Sequence, residues 1–171
     1  MAEQDLPLTR ALPLHRVEVA ARAILRCRAA DIPALERELN IALPEQACRA
    51  TVTDSRAALW LGPDEWLLLD FASAQTRFPD VIEPACSIVD VSHRQIAYAL
   101  HGPMAEEMLS TGCALDVSET AFPVGMCTRT LFNKAEIMLW RTGAHRFHIE
   151  IWRSFSHYLE NVLTDAAWEI G

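Results

Sequence analysis

Six histidines are the residues of this chain whose type is best suited to proton transfer or metal binding. His93 lies in the stretch Asp90 to Arg94, and it is a candidate general base because histidine titrates near neutral pH. The sequence shows no recognisable pairing of a nucleophile with a base. We therefore favour the alternative that the hydrogen bonds of His93 are satisfied at the end of a strand.

The other histidines do not form a metal-binding pattern. His145 and His148 are three residues apart on a predicted strand, where successive side chains alternate between faces. Their imidazoles are therefore expected on opposite faces, which is the wrong arrangement for two ligands of one metal ion. His15, His101 and His157 have no neighbour at ligand spacing. We expect no metal site on this chain.

Two cysteines and three arginines are the remaining candidates for chemistry. Cys86 or Cys113 would need a base or a helix N-terminus to lower its pKa before it could act as a nucleophile. Cys113 instead follows the predicted end of a helix, so buried unreactive thiols are expected. Three arginines flank aromatic strands and could hold a carboxylate in a bidentate manner, although we favour a solvated or partner-facing role for them. They are Arg141, Arg146 and Arg153.

The composition excludes several classes of function. The 171 residues carry 15 basic and 23 acidic side chains, and a net charge of −8 argues against nucleic-acid binding. Neither G-x-G-x-x-G nor G-x-x-x-x-G-K occurs, which opposes dinucleotide and triphosphate binding. Five cysteines without a C-x-x-C pair are typical of free thiols in a reducing cytoplasm. No signal-peptide core is present, and no apolar run reaches the roughly 18 residues of a membrane span. We expect a cytoplasmic protein.

The clearest structural unit is a strand, a corner and a helix between Asp90 and Asp116. Large and small side chains alternate over residues 95–100, which predicts a strand. Gly102-Pro103 ends that strand, and Gly112 is expected in the left-handed conformation that ends a helix. The helix between them presents one apolar stripe, formed by Met104, Ala105, Met108 and Leu109.

Alternation, turn residues and capping residues predict the other elements. Further strands are predicted over residues 17–28, with one solvated face, and over 48–53, 87–91 and 145–152. Hairpins are predicted for 57–61 with 66–71 and for 127–132 with 136–141. Asp31 and Ser154 are predicted to cap helices, and residues 73–84 form a weaker helix or coil.

This order of elements predicts an α+β fold. Two similar halves, about 17–85 and 86–171, each contain mainly antiparallel sheet covered by helices, either as one domain over residues 17–171 or as two intimate halves. Residues 1–16 show no period and are expected to form an N-terminal arm. The arm is either disordered or packed on a partner through Leu6, Leu8, Leu12 and Leu14.

Four stretches between about residues 51 and 167 resemble the γ subunit family of heterotetrameric sarcosine oxidases. They are LWLGPDEWLLLD, DVSHRQIAYALHGPMAEEMLSTGCALDVS, FPVGMCTRTLFNKAEIMLWR and FHIEIWRSFSHYLENVL. That family is similar in fold to the folate-binding part of the glycine cleavage T protein. The shared pattern is represented here by Asp90-Val91-Ser92, Gly102-Pro103-Met104-Ala105, Leu109, Gly125 and the region from Trp140 to Leu163.

One turn departs from the T-protein pattern. In T proteins a glycine-rich turn leads into an acidic pair that includes the catalytic aspartate. Residues 133–138 here read Asn-Lys-Ala-Glu-Ile-Met, in which only Glu136 is acidic. The resemblance therefore implies an accessory subunit without catalytic, cofactor-binding or metal-binding residues. A stand-alone folate-binding or aminomethyltransferase-like protein is the alternative.

The resemblance also implies what the partners supply. The complex would demethylate sarcosine oxidatively to glycine and pass the one-carbon unit to tetrahydrofolate. Flavin, NAD and tetrahydrofolate are expected on the larger subunits, and this chain is expected to pack on the largest of them through an exposed apolar surface. The sequence leaves open whether the isolated chain self-associates through that surface. It also leaves open an interaction protein with no link to sarcosine.

Overall fold

The computed structural model describes residues 13–72, 78 and 86–170. The weaker helix or coil predicted over residues 73–84 lies outside the described residues, apart from residue 78. The described elements in chain order are β1 (Leu14–Val17), β2 (Ala21–Arg26), α1 (Ile32–Leu39), β3 (Ala50–Val52), β4 (Arg56–Gly62), β5 (Glu65–Asp70), β6 (Ser87–Asp90), β7 (Gln95–His101), α2 (Ala105–Ser110), β8 (Cys127–Phe132), β9 (Ala135–Gly143), β10 (Arg146–Trp152) and α3 (Ser156–Ile170).

The strands form two five-stranded sheets in which the paired strands are antiparallel. The first sheet has the order β3-β4-β5-β2-β6, and the second has the order β1-β7-β10-β9-β8. The predicted α+β class is confirmed, and both predicted hairpins are present as β4–β5 and β8–β9. Among the described residues, no helix has both the length and the apolar character of a membrane span.

The first strand of each half pairs in the sheet of the other half. β1 lies beside β7, with Leu14 opposite Leu100, and β6 lies beside β2, with Ala23 opposite Asp90. The predicted arm boundary at residue 16 therefore falls inside β1. The prediction of one strand over residues 17–28 is wrong, because the chain crosses from the second sheet to the first between Val17 and Ala21.

The two sheets pack face to face, and the helices cover their outer faces. Strand alternation produces this arrangement: Ile96, Tyr98 and Leu100 of β7 point into the core beneath α2 and α3. Ala97 of the same strand points toward the first sheet, and its small side chain allows the sheets to approach. The inter-sheet core also contains Leu59, Leu67, Met138 and Trp140. Burying each large apolar side chain contributes about 1.5–3 kcal/mol, so this layer holds the halves together.

Gly112 has a different role from the predicted one. Among the described residues, the positive-φ glycines are Gly102, at +111°, and Gly125, at +85°, so the left-handed conformation predicted for Gly112 is wrong. A Cβ atom on Gly112 would lie 2.9 Å from the ring of Phe132 and from the amide nitrogen of Asn133. Glycine is therefore required at this position because a hairpin approaches closely.

Both predicted helix caps also differ in detail. Asp31 is the N-cap of α1, but its side chain makes no capping bond and instead accepts a 2.9 Å hydrogen bond from Nε of Arg28. The last helix begins at Ser156 rather than directly after Ser154, because a short 3-10 turn, Arg153–Phe155, precedes it.

Candidate functional site

A buried cluster of charged groups joins the two sheets. Alternation on β2 turns Arg22 toward the second sheet, where its Nε donates a 2.7 Å hydrogen bond to Oε2 of Glu150. Nε2 of His148 lies 2.8 Å from the other carboxylate oxygen. The Arg22 side chain is 5% exposed and that of Glu150 is 0% exposed. The face of β2 that was predicted to be solvated is therefore buried at Arg22.

The surroundings of this cluster indicate a structural role. The imidazole of His148 lies 5.7 Å from the ring of Trp140 and 6.0 Å from that of Phe71, centroid to centroid. The backbone N–H of Arg22 donates to the hydroxyl oxygen of Ser92 at 2.9 Å. Arg22, His148 and Glu150 are buried, whereas Phe71 and Ser92 are half-buried. The cluster connects the two halves of the chain.

Further along the same interface, the sheets separate into a cleft of about 180 Å³, hereafter the inter-sheet cleft. Its deep part is formed by Leu67, Val91 and Met138, all of which are buried. Four charged side chains line its outer part, namely Glu65, Arg94, Arg129 and Glu136. The cleft thus combines an apolar base with a charged rim, which is the distribution found in protein interfaces.

Trp152 forms an aromatic side of the inter-sheet cleft. Its side chain is 40% exposed, and the guanidinium of Arg94 lies 4.3 Å from its ring centroid. Such a cation–π contact is worth about 0.5–1 kcal/mol at an exposed site and restricts the orientation of the ring. Gln95, opposite Trp152 in the strand register, also lines the cleft. Its Oε1 is buried without a hydrogen-bond partner among the described residues.

Arg141 connects a loop, a helix and a strand. The side chain is 0% exposed, and Nη1 donates to the carbonyl oxygens of Val117 at 2.9 Å and Phe122 at 3.3 Å. Nη2 donates to Oε1 of Glu106 at 2.5 Å and also to the carbonyl of Ala144. The solvated or partner-facing role predicted for Arg141 is therefore wrong, because its carboxylate partner lies within the chain.

The other arginines and the histidines from the sequence do not come together at one site, although His15 lies near His101 and Arg153 contacts His93. Arg146 and Arg153 are exposed, and Nε of Arg153 donates to the carbonyl oxygen of His93, whose side chain is also exposed. His145 lies exposed in the turn before β10, whereas His148 is buried on that strand, so the strand predicted over residues 145–152 does not include His145. No group of His, Cys, Asp and Glu in the described part of the chain has the arrangement of a metal site. The ring centroids of His15 and His101 are 5.0 Å apart, and Nδ1 of His157 lies 3.2 Å from Glu160.

All five cysteines are free thiols, and the environments of three of them raise the thiol pKa. Burial raises the pKa of Cys127 to about 12 and that of Cys27 to about 11. Burial, followed by the negative charge of Asp31, also raises the pKa of Cys86. Sγ of buried Cys113 lies 3.8 Å from the hydroxyl of Thr130. A thiol with a raised pKa is a poor nucleophile at neutral pH.

Sequence reasoning missed the inter-sheet cleft and the buried ion pair. The available signal was the alternation of β10, in which His148, Glu150 and Trp152 share one face. Polar residues at alternating positions normally indicate a solvated face. Here that face covers a second sheet, and the residues opposite come from segments more than 50 positions away in the chain.

Comparison with known proteins places this fold in a family. The Sarcosine oxidase, gamma subunit family matches residues 23–169. This chain belongs to that family. The matched γ-family region begins at Ala23, inside β2, and includes the later strands and every residue named above for the inter-sheet cleft.

Individual γ-family relatives agree with this assignment. The chain is 31% identical over 141 residues to the sarcosine oxidase subunit gamma of Corynebacterium sp. (strain P-1), covering 80% of this chain and 69% of that one. It is 30% identical to the subunit gamma of Arthrobacter sp., with the same coverage. A solved structure, the heterotetrameric sarcosine oxidase from Corynebacterium sp. U-96 in complex with pyrrole 2-carboxylate, matches with a TM-score of 0.80 and 25% identity, covering 91% of this chain and 83% of that one.

Proposed function

We propose that the chain is a non-catalytic accessory subunit of a heterotetrameric sarcosine oxidase. The observation that carries the proposal is the family match over residues 23–169, because it covers nearly all of the described fold. The geometry supports it: the most buried charged groups, Arg22, Glu150 and Arg141, bond to one another or to other parts of this chain. None of these three groups lines the inter-sheet cleft.

The proposal assigns flavin, NAD and tetrahydrofolate to the larger subunits. Pockets for small molecules and cofactors usually measure about 300–1,000 Å³. The inter-sheet cleft, at about 180 Å³, is too small for a folate or a dinucleotide. In the complex, sarcosine would be demethylated oxidatively to glycine, with the one-carbon unit passed to tetrahydrofolate. This chain would support that reaction by packing on the largest subunit.

A cytoplasmic location forms part of the same proposal. All five cysteines lie in described segments and all are free. Free thiols persist in reducing compartments, whereas secreted proteins commonly pair them. A labelled form of the chain can be expressed in its own host and the cells fractionated. Recovery of the chain with the membranes or the periplasm would contradict this part of the proposal.

Co-purification tests the main proposal. The tagged chain, expressed with the larger subunits encoded in the same genome, should retain them and elute with flavin absorbance. Hydrogen peroxide production from sarcosine should accompany that fraction and be missing from the chain alone. If the tagged chain elutes alone although the larger subunits are present in the same extract, the proposal is contradicted.

A stand-alone folate-binding or aminomethyltransferase-like protein is the second candidate. The observation in its favour is that the carboxylate of Glu136 lines the inter-sheet cleft. The volume of the cleft opposes it. Calorimetric titration of the isolated chain with tetrahydrofolate separates the two functions, because the accessory subunit should give no binding heat. Saturable heat with one site would support the second candidate.

A further inference from the structure

We propose that Cys27 and Cys86 form a modification site, at which hydrogen peroxide converts the two thiols into a cross-strand disulfide. The geometry of the site depends on residues of this chain alone. Only the source of the peroxide rests on the proposed function, because a sarcosine oxidase would release hydrogen peroxide beside this subunit.

The strand register brings the two cysteines opposite each other. β2 and β6 are antiparallel, and their last paired position sets Arg26 opposite Ser87. The next position in the same register sets Cys27 opposite Cys86. Both side chains lie on the same side of the first sheet, because Cys27 belongs to the core cluster beneath α1 and Cys86 packs against that cluster.

The hydrogen-bond pattern puts this pair at a position where antiparallel strands come closest. The backbone N–H of Cys27 donates to the carbonyl oxygen of Asp64 at 3.1 Å, so it points toward β5 and away from β6. On the β6 side, the N–H of Val91 donates to the carbonyl oxygen of Arg22 at 2.9 Å, which makes those two residues a hydrogen-bonded pair. The two kinds of pair alternate along a ladder, so Cys27 and Cys86 form a non-hydrogen-bonded pair. The Cα atoms of such a pair are about 4.5 Å apart, within the range of about 4.4–6.8 Å that a disulfide requires.

The environments of the two thiols set the order of the reaction. Cys27 is 8% exposed, and burial, followed by the charge of a Cys86 thiolate, raises its pKa to about 11. The Cys86 thiolate affects Cys27 more than the carboxylates of Asp31 and Asp64 do, which agrees with a cross-strand contact. Cys86 is only half-buried, so it is the thiol that meets peroxide first. Cys27 is then the thiol that resolves the intermediate.

The oxidation proceeds in two steps. The thiolate of Cys86 attacks one oxygen of hydrogen peroxide, the O–O bond breaks, and the departing hydroxide takes up the thiol proton to give water. The sulfur of Cys27 then attacks the sulfenic acid on Cys86, the S–O bond breaks, and a second water leaves with the Cys27 proton. Two thiols and one peroxide thus give one disulfide and two waters. A dithiol reductant reverses the change, as is usual for transient disulfides in reducing compartments.

A second pair of cysteines provides an internal control. Arg49 pairs with Met126 in an isolated bridge, and the N–H of Cys127 donates to the carbonyl oxygen of Cys48 at 2.9 Å, so these cysteines also lie opposite each other. They occupy a hydrogen-bonded position, where the strands are farther apart. Cys127 is 0% exposed, and its Sγ donates to the carbonyl oxygen of Arg49 at 3.3 Å. Hydrogen peroxide should therefore leave this pair reduced.

Peroxide treatment of the purified full chain tests the site. After alkylation of the remaining thiols, peptide mapping without reductant should find one disulfide, between Cys27 and Cys86, that dithiothreitol removes. Its rate of formation should increase about tenfold per pH unit between pH 7 and pH 8.5, because the thiolate is the reacting form. Recovery of all the cysteines as thiols, or a disulfide between Cys48 and Cys127 instead, would overturn the proposal.

Variants test the order of the two steps. Cys27→Ala should leave a sulfenic acid on Cys86 that dimedone traps, whereas Cys86→Ser should leave Cys27 reduced. Cys48→Ser is the matched control and should form the cross-link as the wild type does. The disulfide closes a loop of about 60 residues, so it should raise the urea midpoint of the wild type by about 1–2 M, and peroxide should give no such rise in Cys27→Ala or Cys86→Ser. Dimedone on Cys27 of Cys86→Ser, with none on Cys86 of Cys27→Ala, contradicts the assigned order.

The assembled complex distinguishes this site from the proposed function. While the co-purified subunits turn over sarcosine, the disulfide should accumulate with the peroxide, and catalase should prevent it. If added peroxide forms the disulfide but the chain retains no larger subunits, the proposed function fails and the modification site remains. If the complex assembles and added peroxide forms no disulfide, only the modification site fails.

Discussion

Removal of one partner from the Arg22–Glu150 ion pair should cost more stability than removal of both. The single variant Glu150→Leu leaves the Arg22 guanidinium, 5% exposed, without its carboxylate. Among the described residues, that guanidinium would keep one long hydrogen bond, 3.4 Å from Nη1 to the carbonyl oxygen of Val19. A buried charge deprived of its partner typically costs about 3–5 kcal/mol. The reciprocal variant Arg22→Met should cost less, near the lower end of that range, because fully buried Glu150 keeps its 2.8 Å contact with Nε2 of His148.

The double variant should behave differently. Arg22→Met combined with Glu150→Leu removes both charges and replaces them with apolar side chains. Such replacements are often neutral or stabilising, so we expect the double variant to lie within about 2 kcal/mol of the wild type. His148 loses its carboxylate partner in this variant, which is the reason for not predicting a gain. The coupling between the two sites should therefore exceed about 2 kcal/mol.

Urea unfolding at pH 7, followed by tryptophan fluorescence, measures these differences. The matched control is Arg26→Met, also on β2, whose partner Asp64 is 55% exposed and whose own side chain is 57% exposed. That surface pair should contribute at most about 1 kcal/mol. Single variants at Arg22 and Glu150 that cost as little as the control would refute the reasoning. A double variant that costs the sum of the single variants would refute it as well.

Three further predictions concern steric fit and ionisation. Gly112→Ala should lower the free energy of unfolding by about 2–3 kcal/mol, because the added Cβ would overlap a buried ring. Gly125→Ala has open space around it but a φ of +85°, so it should lower the free energy of unfolding by only about 1 kcal/mol. The opposite order of the two urea midpoints would contradict this reasoning. Burial and the 2.6 Å hydrogen bond to Glu160 raise the pKa of Tyr98 to about 12. A tyrosine in the unfolded chain ionises near pH 10, so the free energy of unfolding should fall as the pH rises from about 10 to about 12. Tyr98→Phe should flatten that part of the stability curve, and an unchanged curve would contradict the assignment. Cys127, with a pKa of about 12, should resist Ellman's reagent at pH 8 until urea unfolds the chain. Rapid labelling of Cys127 in the native protein would contradict this prediction.

A helix or hairpin was predictable where the residues that determine it all lie within one short segment of the sequence. The two hairpins follow from turn residues between alternating strands, and the stripe of α2 places Ala105, Met108 and Leu109 in the core as predicted. The alternation of β7 also holds, with large side chains under the helices and alanines toward the other sheet. In each case the sequence pattern indicates burial directly, because the side chains on one face of the element all pack against the same layer.

Features that depend on distant segments were not predictable from local patterns. Arg22 was assigned to a solvated face because a charged residue at an alternating position usually meets water. Its burial depends on Glu150, which lies 128 positions later in the chain. Arg141 was misassigned for the same reason, since its partner Glu106 comes from another element. Gly112 was assigned a conformational role, whereas the constraint is the approach of Phe132 from the following hairpin.

The exchange of first strands between the halves has a consequence for synthesis on the ribosome. β1 emerges early, but the strand beside it, β7, begins only at Gln95. β2 likewise waits for β6, which begins at Ser87, before its sheet is complete. Neither half can therefore finish folding as it leaves the exit tunnel, and sequence-distant pairings of this kind slow folding. A nascent chain arrested after residue 72 would expose the unpaired edge of β2, a surface on which a chaperone or another β-strand can bind.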